Sequence, residues 1–306
     1  MMKKIFLILL LTSLKVGAQQ NTYNALIEYQ MPLINPAHAG AEAQQSFFLN
    51  TRNQWAAVED SPKTLSMAYS IARNNNVGVG ISIISDQLFI EKQTAVGIDF
   101  SYKLTLNNDA LLFLGIKGGF NSFRADTQQL IAYGEGNDPA KRDLSRVNPN
   151  IGVGFLFKQQ KTWVSAALPR LFNAKRSEEI NLSARDRIHL YLAAGTAFSM
   201  NENIQLEPKM IYRNAEGIKA VVEGVIWGNY KNKFRLGLGR RTGAVTSLKM
   251  KLELNENISL SYAYDTYGAM NTIINQFSAH EIGLRLQLNS TASSETATND
   301  TQESEE

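Results

Sequence analysis

Side chains that could carry out chemistry are few and scattered in this 306-residue chain. It contains no cysteine, which excludes a disulfide framework, a cysteine metal ligand and a cysteine nucleophile. Of the three histidines, His38, His189 and His280, no two have the spacing of a helical zinc site. Nucleophile-elbow and phosphate-binding glycine motifs are missing from the sequence, and the pair at 178–179 (Glu-Glu) is interpreted as solvated surface. We therefore predict a non-enzymatic protein with no cofactor and no metal.

The first 18 residues have the pattern of a cleaved export signal. Lys3 and Lys4 precede an apolar run over 5–14, and the small residues Gly17 and Ala18 suit a signal peptidase that cuts before Gln19. The apolar run is shorter than the roughly 20 residues of a transmembrane helix. We predict a signal peptide over 1–18; an uncleaved anchor or a buried helix is the alternative.

The charge of the chain is concentrated in its two ends. The formal net charge of +3 equals the contribution of Lys3, Lys4 and Lys15, so the predicted mature chain is neutral and offers no basic field to nucleic acid. Residues 290–306 contain five acidic residues, no basic residue and nothing apolar larger than alanine. Such a segment cannot bury enough surface to fold, so we predict a disordered acidic tail there.

Between residues 46 and 289 the dominant pattern alternates apolar and polar residues, which is typical of strands with one apolar face. In one example Leu248, Met250 and Leu252 alternate with Lys249 and Lys251. Fourteen such segments occur, and most are near the length that crosses a bilayer at a tilt. They are about 46–54, 64–72, 77–86, 94–104, 110–121, 150–158, 161–167, 187–198, 204–213, 218–228, 232–240, 243–254, 256–266 and 278–289. The pattern predicts an all-β, antiparallel transmembrane barrel over 46–289.

The lengths of the connections support a barrel in the outer membrane. Connections after the even-numbered strands are short and mostly rich in asparagine, whereas those after strands 1, 3, 5, 7 and 13 are longer. Only the links near 214–217 and 241–242 break the alternation. Short periplasmic turns and longer extracellular loops are typical of outer-membrane barrels, whereas a water-soluble β-sandwich has no reason to sort its loops.

The polar positions of the strands predict a lumen lined by charges of both signs. We interpret these residues as an ion-paired filling of the barrel; a selectivity lining is the alternative. Alternating strand glycines, such as Gly78 with Gly80 and Gly152 with Gly154, would permit curvature or the close approach of a plug; mere sequence tolerance at unpacked lumen positions is the alternative. Residues 19–45 contain Pro32 and Pro36, which exclude a long helix. We predict that this segment packs at the periplasmic mouth or inside the lumen.

Several short motifs stand in a recognisable order. They are 33–40 (LINPAHAG), 52–55 (RNQW), 61–64 (SPKT), 76–80 (NVGVG), 152–154 (GVG) and 280–284 (HEIGL). Their order and spacing resemble the PorP/SprF family, outer-membrane proteins of the type IX secretion system in Bacteroidota, over about 33–289. Two departures are His38, where the family often has an aromatic residue, and the acidic tail in place of an aromatic C-terminus.

The resemblance implies a role beside the secretion channel, with secretion-system components and outer-membrane lipid as partners. Members often support the secretion or surface attachment of one large adhesin-like protein, and others link the machinery to the envelope; the resemblance does not choose between these roles. The motif residues with possible partner contact are Asn35, Pro36, Gly40, Arg52, Gln54, Trp55, Pro62 and Lys63. A structural role in a plug or an aromatic belt explains Pro36, Trp55 and Pro62 equally well. A channel for small solutes, gated by 19–45, and an exported soluble β-protein are the rival hypotheses.

Overall fold

The computed structural model describes residues 24–56, 58, 60–73, 75–107, 109–126, 144–172, 188–215, 218–267 and 278–288. The predicted signal peptide, the pair at 178–179 and the predicted acidic tail lie outside these residues. Within them, no helix is long and apolar enough to cross a membrane.

A single antiparallel sheet closes on itself to form the barrel. β10 pairs with β11 and β1 pairs with β15, so the sheet has no open edge between its first and last strands. β9 continues β8 along the same neighbour, β10, after a break of two residues, so the wall has 14 strand positions. The strands are β1 (Gln45–Gln54), β2 (Lys63–Ala72), β3 (Val77–Leu88), β4 (Glu91–Asn107), β5 (Ala110–Ala125), β6 (Leu144–Gln159), β7 (Thr162–Leu168), β8 (His189–Gly195), β9 (Phe198–Ser199), β10 (Ile204–Ala215), β11 (Ile218–Tyr230), β12 (Phe234–Arg241), β13 (Val245–Glu253), β14 (Ile258–Tyr267) and β15 (Ala279–Leu288). The prediction of an all-β barrel with about 14 strands is confirmed.

The two faces of the wall differ in the way that the sequence alternation predicts. In β13, Leu248 and Met250 point outward and are exposed, whereas Ser247, Lys249 and Lys251 point inward and are buried. The same division holds on the other strands, so the outside of the barrel is a belt of large apolar side chains. Apolar residues gain nothing by facing water, and this belt therefore fits the hydrocarbon of the outer membrane.

The two ends of the barrel are distinguished by their connections. At one end, which we call the inner end, six turns of two to four residues join the strands. Asparagine side chains stabilise several of them; Asn255 Oδ1, for example, accepts hydrogen bonds from the backbone N–H groups of Asn257 and Ile258. The opposite, outer end carries the four long connections, after β1, β5, β7 and β14. Short turns mark the periplasmic side of such barrels.

Strand boundaries differ from the sequence prediction mainly at the outer end. β4, β5 and β6 are longer than predicted, and the connection after β3, which was predicted to be long, is a two-residue turn at Phe89 and Ile90. The predicted strand 187–198 is interrupted between β8 and β9. The reason is compositional: around this turn, residues 85–87 and 91–94 are polar on both faces, so the alternation of apolar residues ends before the strands do.

Residues 24–42 lie inside the barrel, and we call them the lumen segment. They form three short helical turns, a 3-10 turn at Ile27–Tyr29, an α-helical turn at Met31–Ile34 and a second 3-10 turn at Pro36–His38. Pro32 and Pro36 occupy the first turns of their helices, where the missing N–H group costs nothing. The apolar core of the molecule therefore lies between the lumen segment and the inner wall, with one buried cluster around Leu26 and Trp227 and another around Met31 and Ile211.

Candidate functional site: the filled lumen and the outer rim

The lumen segment begins in the outer half of the barrel, where a buried carboxylate holds it. Glu281, on β15, accepts hydrogen bonds from the backbone N–H groups of Ala25 at 2.6 Å and Leu26 at 3.1 Å. Gln30 Nε2 donates to the same carboxylate at 3.2 Å. Two N–H groups that would otherwise be buried without a partner are thus satisfied by a wall residue that lies 256 positions away from Ala25 along the chain.

Arg52 compensates the charge of that carboxylate. Its guanidinium lies 3.0 Å from Glu281 Oε2 and 2.7 Å from Asp265 Oδ2, and all three side chains are at most 1 % exposed. Arg241 approaches Asp265 at 3.2 Å from the other side. A buried charge without a partner is costly, so these alternating charges stabilise one another and fix the position of Glu281.

A second buried cluster holds the first helical turn of the lumen segment. Lys249 Nζ lies 3.0 Å from Glu28 Oε1 and 2.8 Å from Glu223 Oε1. Trp227 Nε1 donates a hydrogen bond to Glu28 Oε1 at 3.2 Å, and the indole packs edge-on against Tyr29 at 5.2 Å between ring centroids. In this network Lys249 and Glu223 belong to the barrel wall, and Glu28 is the member that comes from the lumen segment.

Tyr29 is also held between two cations of the wall. Lys209 Nζ and Lys251 Nζ each lie 4.9 Å from the centre of its ring. Each contact is worth about 0.5–2 kcal/mol, depending on desolvation. The wall thus provides one ammonium group, that of Lys249, for the Glu28 carboxylate and two, those of Lys209 and Lys251, for the Tyr29 ring.

In the middle of the barrel Asn35 connects the lumen segment to β6 and β7. Its Nδ2 donates to Ser165 Oγ at 2.7 Å and to the Phe155 carbonyl oxygen at 3.0 Å, while Oδ1 accepts from Ala37 N at 2.9 Å. A Cβ atom at Gly154 would lie 1.9 Å from Asn35 Oδ1, so only glycine leaves room for this amide. The motif residue Asn35 is fully buried by these contacts.

At the inner mouth the lumen segment is tied to the wall mainly through its backbone carbonyl groups. Ser101 Oγ donates to the Ala39 carbonyl at 2.6 Å, and Lys158 Nζ donates to the Ala41 carbonyl at 3.0 Å. Gly40 has a φ of +70° and approaches β2 closely, which explains the glycine there. Glu42 then pairs with Arg285 before the chain enters β1.

His38 is the titratable group of the second 3-10 turn. Its Nε2 lies 3.3 Å from Ser165 Oγ, its Nδ1 lies 3.6 Å from Glu42 Oε1, and the Lys158 and Arg285 cations act on it from the wall. Burial lowers the pKa of His38 below its usual range, because the imidazolium would lose its hydration, and the nearby Glu42 carboxylate opposes this only in part.

The lowered pKa of His38 predicts a loss of stability on mild acidification. The unfolded chain takes up a proton below about pH 6.5, whereas the folded chain keeps His38 neutral to lower pH. Stability from this group is therefore present above about pH 6.5 and is lost as the pH falls below it. We expect the urea midpoint of the wild type to fall more between pH 7.5 and 5.5 than that of His38→Asn; equal falls would contradict the assignment.

The eight motif residues predicted from the sequence occupy two different places. Five of them lie inside the barrel: Asn35, Pro36 and Gly40 in the lumen segment, and Arg52 and Gln54 on the inner face of β1. Trp55, Pro62 and Lys63 lie together at the outer rim, on either side of the connection between β1 and β2. The structure therefore separates five motif residues inside the barrel from three at its outer rim.

Backbone hydrogen bonds fix the outer rim around Trp55 and Pro62. Trp55 adopts a positive φ of 54°, and its N–H group donates to the Ser278 carbonyl at 2.8 Å. The Pro62 carbonyl accepts from Gln54 N at 3.0 Å, and Lys63, the first residue of β2, is exposed. Trp55 and Pro62 are both partly exposed, so this corner presents an aromatic, an apolar and a cationic side chain.

Glu28, Tyr29 and Trp227 were missed as site residues by the sequence analysis. Trp227 stands at an inward position of β11, and Gly237 on β12 leaves space for its ring, because a Cβ there would lie 2.7 Å from the indole. An aromatic residue at a polar position of the alternation, opposite a glycine, was the available signal. Among the described residues, no cluster of histidine, aspartate or glutamate could hold a metal ion.

Comparison with known proteins gives a family and a fold. The family model for "Type IX secretion system membrane protein PorP/SprF" matches residues 16–286. No curated protein matches the chain. Among solved structures, the chain is similar to the monoaromatic hydrocarbon channel CymD, with a TM-score of 0.51, 11% identity, and coverage of 90% of this chain and 96% of that one. A TodX deltaS2S3 mutant, also titled a monoaromatic hydrocarbon channel, has a TM-score of 0.50, 11% identity and coverage of 87% and 94%. The toluene transporter TbuX of Ralstonia pickettii has a TM-score of 0.48, 9% identity and coverage of 83% and 92%.

Proposed function

Since the chain belongs to the PorP/SprF family of type IX secretion system membrane proteins, we propose that it is a non-enzymatic accessory of that system in the outer membrane. Membership in the family implies association with components of the secretion system. In the proposed role, the barrel supports the secretion or the surface attachment of one large, adhesin-like partner protein.

The observation that carries the proposal is the filled lumen. The wall charges that a solute would meet, such as Lys249, Glu223 and Glu281, are paired with the lumen segment or with each other. A barrel whose interior is occupied by its own chain leaves its outer rim and long outer connections as the surface for a large partner. A secreted protein held at the cell surface would meet that rim.

Deletion of the gene, followed by mass spectrometry of cell surface, medium and lysate, tests this function. The proposal expects one large exported protein to leave the surface for the medium, or to be lost, while other exported proteins stay unchanged. Failure of every type IX cargo would instead assign the barrel to the core machinery. An unchanged exported proteome would contradict the secretion role.

The three rim residues give a sharper variant of the same test. We expect Trp55→Ala combined with Lys63→Glu to lower the amount of the partner at the surface severalfold, because both residues lie at the outer rim and neither side chain is buried. The matched control is Lys231→Glu in an inner turn, where the side chain is also exposed. The comparison is valid when both variants yield equal amounts of folded barrel, which is measured by the shift in gel mobility on heating. A partner level that is the same in rim and control variants would count against contact at this corner.

A channel for small solutes is the second candidate function. The fold is shared with barrels titled hydrocarbon channels, and a small cavity lies at the inner face of β3, β4 and β5 beside Arg170, lined in part by Ile84, Gln93 and Phe123. In this case the lumen segment would be a gate. Opening of the wild-type barrel in planar bilayers would favour the channel; a wild-type barrel that never conducts would favour the accessory role.

A further inference from the structure

The outward face of the barrel carries a row of cations at its outer end, on β2, β4 and β5. Lys92 on β4 and Arg124 on β5 lie directly opposite each other in the register, and both are exposed. Lys63 on β2 is in the same row and is separated from Lys92 only by Gln87 on β3. Each of the three cations is the last or the last but one residue at the outer end of its strand. We call Lys63, Lys92 and Arg124 the basic row.

Acidic side chains do not balance the basic row on its own face. Glu91 alternates with Lys92 along β4 and therefore belongs to the opposite face, and Asp126 follows the end of β5. Within the part of the chain that the structure describes, none of the three cations forms an ion pair with a carboxylate. Like charges directly opposite each other on neighbouring strands destabilise a sheet. The position of Lys92 beside Arg124 therefore favours an anion supplied from outside the chain.

The residues below the basic row place it at the surface of the membrane. On β5 the outward positions below Arg124 are Ser122 and then Phe120, which is 43 % exposed and belongs to the apolar belt; on β4 the position below Lys92 is Thr94. At about 3.3 Å per residue and a tilt of about 40°, the Arg124 backbone lies roughly 10 Å farther out than that of Phe120. The headgroup layer beside the hydrocarbon is about 5–8 Å thick. Lysine and arginine side chains are long enough to bend into that layer from the row.

The other side of the barrel differs from this arrangement. There Arg240 lies at the matching outward position of β12, one residue from its outer end, and its neighbours in the register are Gly224 and Thr246. Arg240 Nη1 donates a hydrogen bond to Thr246 Oγ1, and neither register neighbour is a cation. Neighbouring cations are therefore a local feature of the β2–β5 side and not a general property of the outer rim.

We propose that the basic row binds the phosphorylated headgroup of a lipid in the outer leaflet of the outer membrane, with the acyl chains of that lipid against the apolar belt below. A phosphate accepts hydrogen bonds both from Lys92 Nζ and from the planar fork of donors on the Arg124 guanidinium. The hydroxyl groups of Ser122 and Thr94 lie between the cations and the belt, where they face the polar part of such a lipid. The continuity of cations, hydroxyl groups and apolar side chains along one face fits a lipid rather than a free anion. The proposal is independent of the role in secretion.

Native mass spectrometry of the folded barrel in detergent tests the proposal, with lipid A that carries both of its phosphates as the probe. We expect the wild type to bind lipid A, and Lys92→Gln combined with Arg124→Gln to bind it about 10- to 30-fold more weakly. The matched control is Lys231→Gln with Lys233→Gln, which removes two exposed cations from an inner turn and should bind like the wild type. Lys63 stays unchanged in every variant, because it also belongs to the rim corner with Trp55.

A conservative variant shows whether the charges themselves matter. Lys92→Arg combined with Arg124→Lys keeps both cations and should bind lipid A like the wild type. All variants are first shown to be folded by the shift in gel mobility on heating.

Three results would overturn the proposal. Equal binding by the double glutamine variant and its control would mean that Lys92 and Arg124 do not hold the lipid. Equal binding of lipid A from which both phosphates have been removed would mean that the phosphates are not recognised. Displacement of lipid A by inorganic phosphate at the same concentration would mean a site for free anions. None of these results bears on the secretion phenotype of the deletion, so the proposal and the proposed function fail separately.

Discussion

Replacing Arg52 with alanine is expected to lower the free energy of unfolding by about 3–5 kcal/mol, because it leaves buried carboxylates without their partner. Arg52 lies within 3.0 Å of both Asp265 and Glu281, and none of the three side chains is more than 1 % exposed. Asp265 retains Arg241, but Glu281 loses the guanidinium that compensates its charge and is also the residue that holds the start of the lumen segment. Urea unfolding of the barrel in lipid vesicles measures the change.

Two further variants separate the charge effect from a loss of packing. Arg240→Ala removes an arginine from the outward face of β12, where it is exposed, and should change stability by no more than about 1 kcal/mol. Adding Glu281→Gln to Arg52→Ala removes the uncompensated charge and should restore part of the lost stability. If Arg52→Ala and Arg240→Ala were equally stable, the buried ion pairs of Arg52 would not contribute to the stability of the barrel.

A single methyl group at Gly78 is expected to displace the inner half of the lumen segment. A Cβ there would lie 1.9 Å from the Ala39 carbonyl oxygen and 2.3 Å from Ser101 Oγ, the two groups that bind each other at 2.6 Å. Overpacking of this kind typically costs about 1–3 kcal/mol, and moving the segment is a route to relieve it. We expect Gly78→Ala to raise the conductance of the barrel in planar bilayers severalfold and to expose the lumen segment to protease.

The matched control for Gly78→Ala is Gly224→Ala on β11. A Cβ at Gly224 would meet no atom within 4 Å, so the same chemical change in another strand should leave conductance and protease resistance at wild-type values. Equal conductance of the two variants would show that the close contact between Gly78 and Ala39 does not hold the lumen closed.

The barrel could be predicted from the sequence because its determinants are local. Alternation fixes which side chains of a strand such as β13 face lipid, and asparagines such as Asn255 mark the inner turns. The alternation fails around Phe89, where polar residues occupy both faces, and the tight turn between β3 and β4 was therefore predicted as a long connection. That error arises because residues 85–87 and 91–94 are polar on both faces, so no alternation marks the ends of the two strands.

The contents of the lumen could be predicted only in part, because they depend on contacts between distant residues. The prolines of residues 19–45 excluded a long helix, and the alternation placed Lys249, Asp265 and Glu281 on the inner face. Nothing in the sequence pairs Glu28 with Lys249, which lies 221 residues away, or brings Glu281 to Ala25. Those pairings follow from the closure of the barrel, which brings the inner faces of all strands around one segment. The motif residues Arg52 and Asn35 were identified by resemblance, and their burial came only from the three-dimensional arrangement.

Residues 24–42 fill the lumen of the membrane-embedded barrel. A disulfide between Ala39→Cys and Gly80→Cys tests this directly, since a Cβ at Gly80 would lie 3.4 Å from Ala39 Cβ, just below the roughly 3.5–4.5 Å range of disulfides. The control pair is Ala39→Cys with Gly224→Cys. Outer membranes are isolated under mild oxidation, and the linked peptides are quantified by mass spectrometry without unfolding the barrel. We expect the 39–80 link in most molecules and no 39–224 link. Free thiols at both 39 and 80 in the folded barrel would contradict a lumen closed by its own N-terminal segment.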